Sequence, residues 1–392
     1  MTPGPCLRLT AVAAAVATGL AVASGAAGGG IAHEALSAVA VPPLVVLVLA
    51  AWLEYRRLLP STLTALVLFG VAALVTGHFP HIALAALAFA ASLVSAALVL
   101  RERWMPAGSW RDYVALTKPR IMTLLLLTGL CGMIVGAGGW PATWLVAVTM
   151  LGLGLACGGA SALNHVLDRD IDRAMRRTST RPVAAERVPA EYALEFGLAL
   201  SALSFVLLAS FVNVLTAVLA LVGNLFYVLV YTRWLKRSTP QNIVIGGAAG
   251  AVPPLVGWAA ATGDLTVPAL FLFLIVFFWT PPHFWALALL IRRDYESARI
   301  PMLPVVRGER ATTRQIVLYS AALVPITLLP FFWDTVGVLY LVCAVALGGV
   351  LMALAVGLAR RTTPARARLL FHFSLLYLAL LFVVMALDPL VA

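Results

Sequence analysis

The stretch that decides the fold is residues 142–173, ATWLVAVTMLGLGLACGGASALNHVLDRDIDR. Its first part, 142–165, is almost wholly apolar, and it runs directly into a cluster of aspartates and arginines. An apolar run of about 20 residues is long enough to cross a bilayer as a helix. The stretch therefore predicts a membrane-spanning helix that ends in an acidic motif at the membrane surface.

The composition of the whole chain agrees with this prediction. Of the 392 residues, 62% are hydrophobic and 11% are charged, whereas soluble domains are about 45–50% apolar and about 25% charged. An ordinary soluble enzyme, a disordered tail and a coiled coil are therefore excluded. Thirteen apolar runs are candidate spans, and they fall near 8–32, 37–53, 61–77, 81–100, 121–138, 142–165, 190–211, 213–232, 241–261, 267–291, 315–333, 336–358 and 369–390.

These spans predict an all-α polytopic membrane protein with two parts. Residues 1–105 form a four-helix N-terminal transmembrane extension of unknown role, and residues 106–392 form a nine-helix bundle. The polar stretch 101–120 links them. Nothing in the extension has a catalytic pattern.

The net charge of +11 comes from 27 Lys and Arg against 16 Asp and Glu. The basic residues are concentrated in alternate loops between the predicted spans. If the N-terminus is cytoplasmic, the basic residues all fall on the cytoplasmic side, as the positive-inside rule requires. We therefore expect a multi-pass protein of the cell (inner) membrane with its C-terminus outside. This distribution also argues against a nucleic-acid partner, which the basic pI would otherwise suggest.

The acidic motif predicts a metal site. Asn164, Asp168 and Asp172 are spaced i, i+4, i+8, so they share one face if the helix continues. Oxygen ligands of this kind suit Mg²⁺, which binds through one or two carboxylates together with substrate phosphates. Asp170 is expected to face elsewhere. The alternative is a run of i,i+4 ion pairs at a helix end, such as Asp172 with Arg176.

Basic residues near the motif predict a phosphate partner. They are Arg177, Arg181, Lys236 and Arg237. Arginine grips phosphate bidentately and lysine acts as a point charge. Acids and bases together at the mouth of an apolar bundle indicate a diphosphate with an apolar tail, bound at the cytoplasmic face.

Two proline pairs and one histidine mark a second candidate region. Pro253-Pro254 and Pro281-Pro282 are expected to kink or break their helices and to leave a partly polar pocket, although simple kinked packing is the alternative. His283 lies within a span, where an ionisable group is a functional candidate; packing on a neighbour's carbonyl group is the other interpretation. Asp294 could give a second acidic contact to Mg²⁺.

Four segments resemble the protoheme IX farnesyltransferase (heme O synthase) family, a branch of the intramembrane prenyltransferase superfamily. They are LTKPRIM (116–122), NHVLDRDIDRAMRRTSTRP (164–182), YTRWLKRSTPQNIVIGGAAGAVPPLVGW (231–258) and PPHFWALALLIRRDYESARIPMLPVV (281–306). The resemblance covers roughly residues 110–392. It implies a nine-helix prenyltransferase bundle around a central cavity. It also implies transfer of farnesyl from farnesyl diphosphate to the vinyl group of heme b, giving heme O for terminal oxidases.

The resemblance also implies roles for individual residues. Asn164, Asp168 and Asp172 match the first acidic motif, which holds Mg²⁺ and diphosphate, and Asp294 matches the start of the second. The wider superfamily often has a further Asp four residues after that position, where this chain has Ala298. The heme branch also tends to lack this Asp. The diphosphate-binding set is Lys118, Arg120, Arg177, Arg181, Lys236 and Arg237, and the set expected to line the pocket or contact heme is Tyr231 and His283.

Other functions stay open at the level of sequence. A quinone- or chlorophyll-type prenyltransferase of the same fold is the nearest alternative, and a transporter is a second class. The transporter is disfavoured because the chain has no internal repeat and the acidic motif lies at the interface instead of the midplane. The implied partners are farnesyl diphosphate, heme b, membrane lipid and the next enzyme of heme A synthesis.

Overall fold

The computed structural model describes residues 108–391 continuously and only isolated positions before them. The four predicted N-terminal spans fall outside the described residues, apart from those positions, and they stay a prediction. The chain divides into two compact units. The larger unit comprises Gly108–Ser201 and Val218–Ala392, and the other includes Ala202–Ala217. All candidate site residues belong to the larger unit.

The continuously described part of the chain is nearly all helical. Its helices, in chain order, are α1 Trp110–Thr117, α2 Pro119–Ala137, α3 Thr143–Leu167, α4 Arg169–Ala174, α5 Ala190–Phe211, α6 Val214–Leu225, α7 Asn242–Thr262, α8 Val267–Leu290, α9 Arg292–Ser297, α10 Leu303–Val306, α11 Gly308–Phe332, α12 Val338–Arg360 and α13 Pro364–Val391. Helix α6 continues without a break into a π-helical segment, Phe226–Leu235, and a last turn, Lys236–Ser238.

Nine helices in the described region are long and apolar enough to cross a membrane. They are α2, α3, α5, α6 with its continuation, α7, α8, α11, α12 and α13. The all-α membrane fold and the nine spans after residue 106 are therefore confirmed. Helix α11 begins at Gly308, seven residues before the predicted start at 315. The prediction began too late because Glu309, Arg310 and Arg314 lie in the first two turns, and hydropathy assigns such charged residues to a loop.

Of the kink or break expected at each proline pair, the break does not occur. Helices α7 and α8 run through Pro253-Pro254 and Pro281-Pro282. At the first pair, α7 packs backbone to backbone on α2. A Cβ on Gly132 would lie 2.4 Å from the carbonyl oxygen of Pro254, and a Cβ on Gly257 would lie 1.9 Å from that of Gly129. Small residues allow this close approach, so a neighbouring helix supports the irregular backbone.

The C-terminal helices hold one another by a carboxylate cap. Asp388 of α13 accepts hydrogen bonds from the backbone N–H of Gly337 and, at 3.3 Å, from that of Tyr340, at the start of α12. Asp388 is 7% exposed. No side chain of its own caps α12, so the acid on the neighbouring helix satisfies donors that every helix start leaves free.

Candidate active site

The acidic motif lies at the junction of α3 and α4. Helix α3 ends at Leu167, and Asp168 is the junction residue, with φ −94° and ψ 5°. The backbone N–H of Asp168 donates to Asn164 O at 2.9 Å, and that of Asp172 donates to Asp168 O at 2.7 Å. The i,i+4 pattern of backbone hydrogen bonds therefore continues through the junction between α3 and α4. The side chains of Asn164, Asp168 and Asp172 are 3%, 0% and 1% exposed.

Lys236 and Asn164 both bind one oxygen of Asp168. Lys236 Nζ donates to Oδ2, and Asn164 Nδ2 donates to the same atom at 2.8 Å and to Thr232 Oγ1 at 3.1 Å. The other oxygen, Oδ1, is buried and has no hydrogen-bond partner among the described residues. A buried unpartnered carboxylate oxygen is costly, which marks the place where a ligand would bind.

Arg181 holds the second carboxylate. Its Nη1 lies 2.8 Å from Asp172 Oδ1 and 2.9 Å from Asp172 Oδ2. Thr178 Oγ1 donates to the carbonyl oxygen of Asp172 at 3.2 Å, so the loop after α4 folds back over the motif. The alternative of an i,i+4 pair between Asp172 and Arg176 is wrong, because the loop brings a more distant arginine to the acid.

Lys118 reaches the site from the other side. It lies between α1 and α2 in the left-handed region, with φ 51°, followed by Pro119 at the start of α2. A non-glycine residue in that region costs about 1–2 kcal/mol. Its Nζ donates to Asn164 Oδ1 at 2.7 Å. Burial, helped by the charges of Arg181 and Lys236, lowers the pKa of Lys118 to about 7.

The π-helical segment sets the direction of Lys236. In a π-helix the hydrogen bonds run from i to i+5, so Tyr231 lies one wide turn below Lys236. A Cβ on Gly246 of α7 would lie 2.3 Å from Tyr231 Cδ2, so the glycine gives that ring its room. The rings of Tyr231 and Tyr227 stack with centroids 5.5 Å apart. π-Helical turns are frequent at functional sites.

The remaining predicted basic residues divide into two groups. Arg237 is bound to both oxygens of Asp170 at 2.7 Å and donates to Leu167 O at 2.7 Å. This pairing lowers the pKa of Asp170 to about 2. Asp170 therefore faces a different direction from Asp168 and Asp172, as its spacing predicts. Arg120 and Arg177 are exposed, and the described region offers neither an ion-pair partner.

Helix α9 contributes a carboxylate and a tyrosine. Asp294 is half-buried and has no ion pair with another described residue. Tyr295 is 7% exposed; burial raises the pKa of its hydroxyl, while the nearby Arg177 and Arg181 act in the opposite direction and Asp294 and Asp168 add to the rise. Ser297 of the same helix donates to Ala174 O of α4 at 3.2 Å, so α9 packs beside the acidic motif.

His283 lies in an aromatic stack. Its ring lies 4.4 Å from that of Trp279 and 4.7 Å from that of Phe371, nearly parallel to both. Its Nδ1 lies 2.8 Å from Ser374 Oγ, which itself donates to Phe371 O at 2.8 Å. The ring therefore meets the hydroxyl of Ser374, and the backbone of Phe371 on the same neighbouring helix also interacts with it, in line with the contact to a neighbour's carbonyl group weighed from the sequence.

The donor set fits a hard cation that is shared with a substrate. Among the described residues, no three carboxylate, imidazole or thiol side chains converge, so Asp294 is not joined to Asp168 and Asp172 in one group. Two carboxylates and the unpartnered Asp168 Oδ1 match the preference of Mg²⁺ for few protein oxygens, several waters and substrate phosphates. A closed cage built by the protein alone does not fit.

Sequence reasoning missed Thr232 and Tyr295 and did not single out Tyr227. Tyr295 follows Asp294 directly, and Thr232 follows Tyr231, so each had a flagged neighbour. Their positions follow from the π-helical phase and from the contact of α9 with α4, where Ser297 donates to Ala174 O, and no spacing rule for α-helices gives either.

A bundle of apolar spans with an acidic, arginine- and lysine-lined site at one end is the architecture of an intramembrane prenyltransferase. The chain belongs to this class: residues 125–381 match the UbiA prenyltransferase family. Within it, a protoheme IX farnesyltransferase of Symbiobacterium thermophilum is 57% identical over 290 residues, 74% of this chain and 97% of that protein. One of Roseiflexus sp. is 51% identical over 281 residues, and the match covers 72% of this chain but only 53% of that protein.

Solved structures share the fold at low sequence identity. A digeranylgeranylglyceryl phosphate synthase has a TM-score of 0.61 at 17% identity, covering 72% of this chain and 99% of that one. A UbiA homolog from Archaeoglobus fulgidus, bound to DMAPP and Mg²⁺, has a TM-score of 0.54 at 18% identity, covering 70% and 99%. These likenesses support the fold alone.

Proposed function

We propose that the chain transfers the farnesyl group of farnesyl diphosphate to the vinyl side chain of heme b, giving heme O and diphosphate. The observation that carries the proposal is the pair of buried carboxylates, Asp168 and Asp172, each held by one cation, with Asp168 Oδ1 unpartnered. The names of the relatives supply the two substrates. The site supplies the chemistry for a diphosphate leaving group.

The acids and bases divide the work at the diphosphate. Asn164, Asp168 and Asp172 would hold Mg²⁺, with Asp294 as a further contact on the substrate side. When bound, Mg²⁺ neutralises the diphosphate and stabilises it as a leaving group. Lys236 and Arg181 already lie on the carboxylates and bind phosphate oxygens beside them, and Lys118, Arg120, Arg177 and Arg237 complete the basic rim.

The reaction depends on the basic side chains around the diphosphate and on the exclusion of water from the apolar bundle. The allylic C–O bond breaks heterolytically and the electron pair leaves with the diphosphate, whose charge the basic side chains stabilise. The vinyl π electrons of heme b form the new C–C bond. Water adds to the resulting cation and loses a proton, which gives the hydroxyethylfarnesyl group. The apolar bundle keeps other water from the farnesyl cation.

Heme binding and cellular placement complete the proposal. Because Nδ1 of His283 lies 2.8 Å from Ser374 Oγ, Nε2 is the ring nitrogen proposed to contact heme, and Tyr231 is proposed to line the pocket. The concentration of Lys and Arg in alternate loops supports an N-terminus and an active site on the cytoplasmic side of the cell membrane and a C-terminus outside. Membrane lipid surrounds the bundle, and the next enzyme of heme A synthesis receives the product. From their apolar runs alone, residues 1–105 are proposed to be a transmembrane extension.

Incubation of the purified full chain with farnesyl diphosphate, Mg²⁺ and either heme b or an aromatic acid tests the proposal. The expected product is farnesylated heme, identified by mass. Prenylation of the aromatic acid alone would instead support the quinone-type reaction. Chelation of divalent metal is expected to stop turnover, and activity that persists at full rate under chelation would contradict the metal assignment.

A further inference from the structure

One histidine of α13 lies on the surface of its helix that the rest of the bundle leaves open. His372 is exposed, whereas His283 of α8 is buried. About one turn before and one turn after His372 lie Leu369 and Leu376, which are 55% and 51% exposed. Ionisable residues within membrane spans almost always face the bundle interior and are paired there. An exposed imidazole between exposed leucines therefore points to a partner that comes from the membrane.

The helix backbone fixes the proton of this imidazole. Nδ1 of His372 lies 2.9 Å from the carbonyl oxygen of Arg368, one turn earlier in α13. A carbonyl oxygen only accepts a hydrogen bond, so Nδ1 donates and the neutral ring keeps its lone pair on Nε2. Histidines that bind metals commonly donate one ring N–H to a backbone carbonyl group and ligate through the other nitrogen. His372 therefore has the arrangement of an iron ligand.

A cation lies next to this histidine, toward the start of α13. Arg368 is exposed, and its guanidinium has no ion-pair partner in the part of the chain that the structure describes. The guanidinium of Arg366, by contrast, is engaged, because its Nη1 donates to Gly357 O at 2.5 Å. Each i,i+4 step along a helix rises about 6 Å and drifts only about 40° around the axis, so Arg368, His372 and Leu376 lie in one row. We name these three residues the outer row of α13.

We infer that the outer row of α13 is a docking site where heme b first binds from the membrane. This inference rests on the proposed function. Heme b carries two propionates on one edge, iron at its centre and vinyl groups on the opposite edge. From the start of α13 into the span, the row presents a guanidinium, an imidazole and a leucine in the matching order. Nε2 of His372 binds the iron, Arg368 pairs with a propionate, and the vinyl half covers Leu376.

The outer row lies close to the histidine that is proposed to contact heme during the reaction. Phe371 of α13 stacks on His283 with ring centroids 4.7 Å apart, and Ser374 Oγ lies 2.8 Å from His283 Nδ1. The same two turns of α13 thus present His372 on one face and contact His283 on another. The iron–His372 bond forms and breaks reversibly before the reaction, so the row contributes to heme binding and not to the chemical step. Loss of such a contact raises KM and leaves kcat unchanged.

Porphyrins that lack one recognised group test the two polar contacts separately. The full chain, purified without a histidine tag and placed in lipid nanodiscs, is titrated with ferric protoheme in the absence of farnesyl diphosphate. The background is His283→Ala, so that the inner histidine cannot ligate the iron. We expect the absorbance spectrum of an imidazole–iron complex in this background. Adding His372→Ala should remove that spectrum and weaken protoheme binding by about tenfold, while the affinity for metal-free protoporphyrin IX stays the same.

The propionate contact has its own probe and a matched control. Arg368→Gln should weaken the binding of protoheme by about threefold, as expected for an exposed ion pair, but should not affect the binding of protoheme dimethyl ester, which has no carboxylates. Arg366→Gln is the control and should change neither affinity. In the farnesyl transfer assay, with His283 intact, His372→Ala should raise the KM for heme b by about tenfold and leave kcat unchanged.

Equal protoheme affinity and spectra with and without His372 would overturn the inference. An equal loss of affinity for metal-free protoporphyrin IX would also overturn it, because that loss would come from packing or misfolding and not from iron ligation. So would a fall in kcat at unchanged KM, or equal effects of the Arg366 and Arg368 variants. The spectra need no turnover, so absence of farnesylated heme from the unmodified chain would contradict the proposed function itself, which is a distinguishable result.

Discussion

Arg181 grips Asp172 with a single nitrogen placed 2.8 and 2.9 Å from the two carboxylate oxygens. The two residues lie on opposite sides of a loop, and the acid is almost fully buried. Removing the cation would leave a buried carboxylate without compensation, which is costly. The pair therefore fixes the loop after α4 over the site, and it sets the electrostatics that a diphosphate meets.

We expect Arg181→Gln to raise the KM for farnesyl diphosphate and to lower kcat, with kcat/KM reduced by about 10²-fold, because it removes a charge that acts on the leaving group. The matched control is Arg173→Gln. Arg173 forms a pair with Glu186 in the same loop, but both side chains are exposed, and exposed pairs contribute little. Initial rates against farnesyl diphosphate concentration measure both, and equal effects would contradict the role of Arg181.

The backbone contact between α2 and α7 gives a packing prediction. In Gly257→Ala the new Cβ would lie 1.9 Å from Gly129 O, so the helices must separate, which costs about 1–3 kcal/mol or more. Gly250→Ala, on the same helix, meets no atom within 4 Å and is expected to be neutral or to stabilise by up to about 1 kcal/mol. Thermal unfolding in detergent compares them, and similar melting temperatures would refute the close approach.

The cap on α12 gives a second stability prediction. Asp388→Ala removes the acceptor for the N–H groups of Gly337 and Tyr340 and is expected to lower the free energy of unfolding by about 1–2 kcal/mol. The control is Asp264→Ala, since Asp264 is exposed and its loss costs less than about 0.5 kcal/mol. An Asp388 variant as stable as the control would show that the cap is dispensable.

The link between α1 and the loop after α4 depends on pH. A backbone hydrogen bond from Ser109, with Arg187 at 2.8 Å, lowers the pKa of Asp112 below 3.8. A carboxyl whose folded pKa is lowered stabilises the fold above its unfolded pKa and loses that contribution as the pH falls through the folded value. We therefore expect a spin label at position 114 to stay immobile near neutral pH and to gain mobility as the pH falls below 3.8. In Asp112→Asn the label is expected to have the same mobility near neutral pH as below pH 3.8.

A structural feature can be predicted from the sequence when it depends on residues that are close together in the chain. Apolar runs and loop charges predict the nine spans, because each depends on its own residues. The shared face of Asn164, Asp168 and Asp172 follows from helical spacing. The bond from Arg181 to Asp172 does not, since the two residues lie nine positions apart, the loop between them can close in many ways, and the sequence favours the nearer Arg176.

The π-helical segment marks a second limit. Lys236 reaches Asp168 because the turn above Tyr231 is wider than an α-helical turn, and no propensity distinguishes that turn from an ordinary one. The proline pairs misled for a related reason. At Pro253-Pro254 the outcome depends on the glycines of the neighbouring helix α2, which hydropathy does not relate to the prolines.

The mass of the heme formed by the purified full chain, with farnesyl diphosphate, heme b and Mg²⁺, tests the central claim most directly. The unmodified chain should convert heme b to a product heavier by one farnesyl group and one hydroxyl group, that is, by farnesyl plus water less a proton. Asp168→Asn, which keeps the side chain's shape but loses its charge, should lower that rate by about 10³-fold while the protein stays helical and monodisperse. Unchanged heme b with the unmodified chain, or full conversion by Asp168→Asn, would contradict it.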